Sequence, residues 1–409
     1  MEYKTNINNT EFQKCNIFED TKLSKLFIYS SINYNDPNEF ANIIYHLYEN
    51  TLIYTKCNEW YKFDDHIWRN ITETQLINNI ITPKLNEIYT KVLEYYNTDF
   101  EKYNAVIKRI KKIITNLNKS PFKKKIVLSL RALCSIQKTS QDFLEKLNAN
   151  YNLLAFNNGI YDLQNFEFRE GKPEDYISIS INYNYSENHT EKYEELLKFL
   201  EDILPNEADR TYFLTYLGIA LSGNKLEKII TLIGSGANAK SSFMNLLNTT
   251  LDTHINVIPS EYFTQLYPNQ AWLNFRHKRI IYTEPKNDQK LNCGLIECFL
   301  HHIPLKKMYS NEILDVSFNF TPILLCNTEP KFDNIDHAFS QHLRCINFPT
   351  QFVNNPINDN QKKRIPDICG NFDHWKLDFM LLLIEYRKNY YKTGELIESD
   401  NILKLTKQY

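Results

Sequence analysis

The chain has 409 residues, 43% of them hydrophobic, with a formal net charge of −2 and a mean hydropathy of −0.47. That length points to two or three domains rather than one core. The near-neutral charge excludes a polycation, so nucleic-acid contacts must come from local basic clusters, and no run approaches the ~18 apolar residues of a membrane span.

The start, MEYKTNINNTEF, lacks the basic-then-apolar pattern of a secretory leader. Residues 1–50 are polar and Asn-rich, turning amphipathic at FANIIYHLYEN, and read as an N-terminal extension. From 51 to 72 aromatic and polar residues alternate around Asp64 and Asp65, which predicts a β-hairpin. Residues 74–150 carry helical periodicity, with Leu76, Ile80, Ile81 and Leu85 on one face. Within them, 108–133 has no acidic residue. Its lysines and arginines either neutralise phosphates along a DNA strand or form a solvated helical face. Residues 151–185 are strand-like with an Asn158-Gly159 turn, so that 51–190 forms one region, helical with a small β element. An acidic amphipathic helical pair follows at 191–222, giving a helical collar over 191–225.

The segment TLIGSGANAKSSF (231–243) has the chemistry of a phosphate cradle. The strand 228–233 leads into Gly234, Ser235, Gly236, Ala237, Asn238 and Ala239, whose amides can turn inward. Lys240 supplies the cation, Ser241 and Ser242 supply hydroxyls, and a helix begins at this point, aiming its N-terminus at the anion. The departure from G-x-x-x-x-G-K-[ST] is Ala239, where glycine would allow a left-handed backbone. A Cβ there costs about 1–2 kcal/mol.

Downstream, the apolar strand 278–283 ends in Glu284, placed to orient a water or touch Mg²⁺. The strand 321–326 ends in Asn327, an amide able to polarise the same water. Arg344 stands before a short strand, and its planar fork suits a γ-phosphate. The expected core, 226–352, is α/β with a mostly parallel sheet built from strands 228–233, 254–258, 278–283 and 321–326. A helical tail (353–409) closes the chain, with Phe379, Leu382, Leu383 and Tyr386 forming an apolar stripe.

The order loop, acid, asparagine, arginine resembles the viral superfamily 3 helicases of the AAA+ type, most of all the poxvirus-type primase-helicase ATPases of large DNA viruses and phage satellites. GSGANAKSS, KRIIYTEP and PILLCNTEPKFDNIDHAF…LRCINFP carry the likeness, with LLAFNNGIYDL, PEDYISISINYNY and YLGIALSGN upstream. The resemblance spans roughly residues 50–409. It implies an AAA+ P-loop core preceded by a mainly helical domain, and ATP-driven helicase or translocase activity in viral or mobile-element DNA replication. It implies Mg-ATP held by residues 234–242 with Ser241 and Glu284 on the metal, Glu284 activating water and Asn327 sensing the γ-phosphate. Arg344 would reach the neighbouring subunit of a homo-oligomeric ring, usually a hexamer, threading single-stranded DNA. In place of the family's Gly-Gly-Asp stretch stands FLHHIPLKKMYSN (299–311), where Lys306 and Lys307 are either the DNA-contacting residues the resemblance implies or a solvated lysine pair. The implied partners include a separate primase or C-terminal partner chain and no membrane, with a site of action in the host cytoplasm or a viral factory. Ala239 and the missing Gly-Gly-Asp keep open an alternative, a degenerate ATPase retaining nucleotide or DNA binding without efficient turnover.

Overall fold

The computed structural model describes residues 18–136, 138–223, 226–299, 302–306 and 313–408. They form two compact units: Met1–Leu147 with Lys172–Ser178, and Asn148–Gly171 with Ile179–Tyr409.

In the first unit, α1 (Thr21–Ile32) and α2 (Pro37–Leu47) each start at an aspartate, Asp20 and Asp36, whose carboxylate accepts backbone N–H groups of the first turn; Pro37 adds a pre-set φ to α2. The expected hairpin is present as β2 (Trp60–Asp64) and β3 (Ile67–Ile71), turning at Asp65 with φ +55°, and β1 (Leu52–Tyr54) adds a third antiparallel strand. Leu76, Ile80, Ile81 and Leu85 are all buried, as their spacing requires. They lead through a π-turn into α3 (Thr82–Asn97), followed by α4 (Phe100–Leu117) and α5 (Ser120–Ser135). The core joins Phe40 and Ile44 of α2 to Tyr89, Ile110 and Leu130 of the later helices.

The second unit begins with β4 (Leu153–Phe156), β5 (Gly159–Asp162) and β6 (Glu167–Arg169), an antiparallel sheet. Residues 51–190 are thus divided between the two units. Phe156, Tyr161 and Tyr185 pack into the same core as the helical pair α6 (Tyr193–Ile203) and α7 (Glu207–Ala220), so the β4–β6 sheet travels with the second unit.

The expected parallel sheet follows. Its strands are β7 (Ile229–Ile233), β8 (Ile255–Val257), β9 (Ile280–Thr283), β12 (Thr321–Cys326) and β13 (Leu343–Asn347), with α8 (Lys240–Leu251) after β7 and a hairpin of β10 (His302–Lys306) and β11 (Ile313–Ser317) before β12. The spatial order is β13-β7-β12-β9-β8, every pair parallel. Alternation along the strands separates two apolar layers. Ile230, Leu232, Ile323 and Leu325 meet α8 and α9 (Phe372–Thr393), whereas Ile229, Ile281 and Leu324 meet Trp272, Phe299 and Phe320. Finally α10 (Asp400–Thr406) packs on β13. No helix among the described residues is long and apolar enough to cross a membrane.

Candidate functional site

The connection from β7 to α8 has a geometry that few sequences can adopt. Gly236, Ala237 and Ala239 have φ of +95°, +50° and +61°, so two alanines occupy the left-handed region where a Cβ is strained. Ala239 thereby meets its sequence expectation. Gly234 is required for another reason. A Cβ there would lie 1.6 Å from Asn238 Nδ2 and 3.0 Å from the Phe348 carbonyl oxygen. Around Gly236 the space is open, with nothing within 4 Å of such a Cβ. Asn238 donates to the Phe348 carbonyl at 3.2 Å, Phe352 N–H donates to the Ala237 carbonyl at 2.7 Å, and Gln351 Nε2 donates to Ser235 Oγ at 3.2 Å. The loop is thus clamped from the segment that follows β13, a support that its own sequence does not reveal.

Lys240, at the first turn of α8, is 4% exposed. Its ammonium donates to the Gly234 carbonyl at 2.7 Å, to Asn238 Oδ1 at 3.0 Å and to Asn327 Oδ1 at 3.2 Å. Burial lowers its pKa from the ordinary lysine value, and the Glu284 charge acts the other way. Glu284 and Asn327 are both exposed and follow the last residues of the neighbouring strands β9 and β12. Asn327 Nδ2 donates to Glu284 Oε1 at 3.3 Å. The parallel sheet therefore brings the loop lysine, the amide and the carboxylate into one hydrogen-bonded chain, at the strand ends where α/β sheets bind ligands. Ser241 and Ser242, one and two residues further on, are exposed and partly exposed.

This donor set suits a magnesium-bound polyphosphate. A buried cation whose three partners are all neutral oxygens can exchange them for phosphate oxygens. The open space at Gly236 admits the anion to the main chain, and the Ser241 hydroxyl and Glu284 carboxylate are oxygen ligands of the kind Mg²⁺ takes. Among the described residues there is no cluster of three or more His, Cys, Asp or Glu able to hold a metal alone. Two cavities open along the loop. One of about 900 Å³ touches Gly234, Ser235, Asn327 and Glu329. The other, about 420 Å³, is lined by Ala237, Ala239 and Ser242 with Phe199, Phe352 and Ile368. Phe199 and Phe352 carry no motif and were not foreseen; only their packing reveals them.

Arg344 departs from its expected place. It lies inside β13, paired in register with Ile230, rather than before the strand. The residue is 9% exposed. Nε donates to Glu398 Oε1 at 2.5 Å and Nη1 to the Gln341 and Leu343 carbonyls. In this conformation the guanidinium is held by its own chain and does not join the Lys240–Asn327–Glu284 group. Lys306 ends β10, in register with Ile313 of the antiparallel β11; Lys307 lies outside the described residues.

Comparison with known proteins shows what the chain is similar to. Residues 41–205 match the family described as D5 N terminal like. The chain is 30% identical over 379 residues to the "Putative helicase L207/L206" of Acanthamoeba polyphaga mimivirus, covering 86% of this chain and 39% of that one. It is 27% identical over 220 residues to "Primase D5" of Fowlpox virus (strain NVSL), covering 49% of this chain and 28% of that one. The chain therefore spans well under half the length of these relatives. Among solved structures, the apo NrS-1 C-terminal region aligns over 91% of this chain and 75% of that one, with 9% identity and a TM-score of 0.47.

Proposed function

We propose that this chain, a member of the poxvirus-type primase-helicase family of large DNA viruses, is the ATP-driven DNA-translocating part of a viral replication helicase. The observation that carries this reading is the hydrogen-bonded chain Lys240–Asn327–Glu284 at the open end of the sheet. In this reading the loop amides, Lys240 and the N-terminus of α8 hold the phosphates of ATP, and Ser241 with Glu284 holds Mg²⁺. The metal supplies charge neutralisation on the phosphate oxygens. Glu284 accepts a proton from the attacking water, and Asn327, bonded to Glu284, fixes that carboxylate and reports whether the phosphate end is filled. Hydrolysis would occur at the subunit interfaces of a ring, usually a hexamer, around single-stranded DNA. Lys306 and Lys307 would sit on the strand-contacting hairpin.

A second reading is favoured by two observations. Ala239 holds a strained backbone at the phosphate position, and Arg344 is bound to Glu398 rather than free to reach a neighbour. Both fit a degenerate ATPase that keeps nucleotide or DNA binding without efficient turnover.

One assay separates the readings: ATP hydrolysis by the purified chain with and without single-stranded DNA. Stimulation by DNA that disappears in Lys240→Ala supports the motor. DNA binding without turnover in either condition supports the module. Absence of any heat of mixing with Mg-ATP would remove the motor and leave only a module that binds DNA.

A further inference from the structure

One basic surface lies outside the nucleotide site. Between Glu101 and Asp142 the sequence contains no carboxylate. This stretch folds largely as α4 and α5, both in the first unit. Their apolar positions, Val106, Ile107, Ile110 and Ile113 on α4 and Ile126, Val127 and Leu130 on α5, are buried. Helical periodicity then forces the lysines outward. Lys108, Lys111 and Lys112 on α4, Lys119 in the connection, and Lys124 and Lys125 on α5 are all exposed.

A merely solvated helix face usually mixes signs at i+3 and i+4, as α3 does, where Glu87 binds both Lys84 and Lys91. Among the described residues no carboxylate pairs with any of these six lysines. An aromatic ring shares the surface. Tyr34, between α1 and α2, receives a hydrogen bond from Lys112 Nζ at 3.0 Å. The Lys112 ammonium and the Arg109 guanidinium lie 5.0 Å and 5.8 Å from its ring centre. The carboxylates nearest in sequence to Tyr34 are engaged: Asp36 accepts from Asn38 N–H, and Glu39 from Asn33 Nδ2.

We propose that α4, α5 and Tyr34 form a binding face for the sugar-phosphate backbone of single-stranded DNA, built from a different unit than the nucleotide loop. Unpaired lysines beside a ring are the combination that holds a strand without reading its sequence. A membrane surface fits less well, because an interfacial helix needs a continuous exposed apolar face, and the apolar faces of α4 and α5 are buried apart from the isolated Phe100 and Leu128. The choice of DNA as the polyanion rests on the replication role inferred above; the face itself does not depend on ATP.

The test is fluorescence anisotropy of a labelled oligothymidylate with the full chain across a salt series. The variant combines Lys108→Glu, Lys111→Glu, Lys124→Glu and Lys125→Glu, and the four Lys→Gln changes provide a milder version should charge reversal disturb folding. Loss of four phosphate contacts lowers the magnitude of the log–log salt slope by about 2.8. Affinity falls at least roughly tenfold at moderate salt, while heat of mixing with Mg-ATP and the melting temperature stay as in the wild type. Wild-type affinity and slope in both variants would overturn the proposal. So would a wild-type chain that binds phosphatidylserine vesicles and not the oligonucleotide. Failure of the wild type to bind Mg-ATP counts against the nucleotide reading alone, since the salt slope is read without nucleotide.

Discussion

The ammonium of Lys240 lies 3.2 Å from Asn327 Oδ1, so the loop between β7 and α8 is tied to the end of the neighbouring strand β12. Asn327 can accept from Lys240 and donate to Glu284 at once. Asn327→Ala breaks the relay and leaves the Gly234 and Asn238 contacts of Lys240 in place. Nucleotide affinity should therefore stay within a few-fold of wild type, while kcat for ATP hydrolysis falls on the order of 10²-fold, the usual cost of losing one oriented polar group at a reacting centre. Calorimetry beside steady-state hydrolysis separates the two effects; equal losses in both would mean that Asn327 acts in binding.

Ala239 stands at φ +61° immediately before α8. Ala239→Gly removes a strain of about 1–2 kcal/mol and adds unfolded-state freedom worth about 0.5–1 kcal/mol. The net change in stability should be a small gain, seen as a slight rise in melting temperature, and kcat should rise because the loop adjusts to phosphate more readily. A drop in activity would show that the alanine is needed for something other than occupying the bend.

The pair Arg344–Glu398 is largely shielded from solvent. Glu398→Gln weakens it while keeping the size of the side chain. If Arg344 serves a neighbouring subunit, the variant should hydrolyse ATP faster than wild type, with a gain that grows with protein concentration. If the chain is a binding module, turnover stays absent and only stability falls, by about 1–3 kcal/mol as expected for a charge losing its partner in a buried setting. Rate against concentration, set beside a denaturant titration, distinguishes the outcomes.

Acid should weaken the second unit through His254 and His277. Burial, followed by the charges of Arg279 and Lys278, pushes His254 well below the ordinary histidine value. Burial, with Arg276 and Arg279, brings His277 to about 4. Both are bases with depressed folded values, so the unfolded chain takes up protons near 6.5 while the folded one does not. Their contribution is complete above pH 6.5 and is lost as pH falls toward about 4. Melting temperature should drop by several degrees across that window, and His277→Gln should flatten the slope; a drop of the same size in the variant would assign the effect elsewhere.

The strand–loop–helix unit and the positions of Glu284 and Asn327 were legible because each depends on a few consecutive residues: an apolar strand, its polar end and the onset of a helix. The left-handed bend at Ala239 followed from the same local pattern. The placement of Arg344 did not. Its partner Glu398 lies 54 residues away, and nothing near Arg344 in sequence announces that β13 pairs with β7 at the sheet edge. The allegiance of β4–β6 was hidden for a similar reason, since it rests on a core that joins Phe156 and Tyr161 to Phe213 and Phe379, far along the chain. Phe348 and Gln351, which brace the phosphate loop, gave no signal because their role arises only when the strand before them is laid beside β7.

At the outer border of the parallel sheet, the N–H of Cys345 is capped by Thr406 Oγ1 at 3.1 Å, and α10 covers the strand that carries it. That short segment occupies the place a further strand would take. A version cut before Ser399 would bare a ladder of unsatisfied main-chain groups, inviting another polypeptide to zip onto it. Clumping of such a shortened protein should then be read as a raw border seeking company, not as failure of the nucleotide machinery.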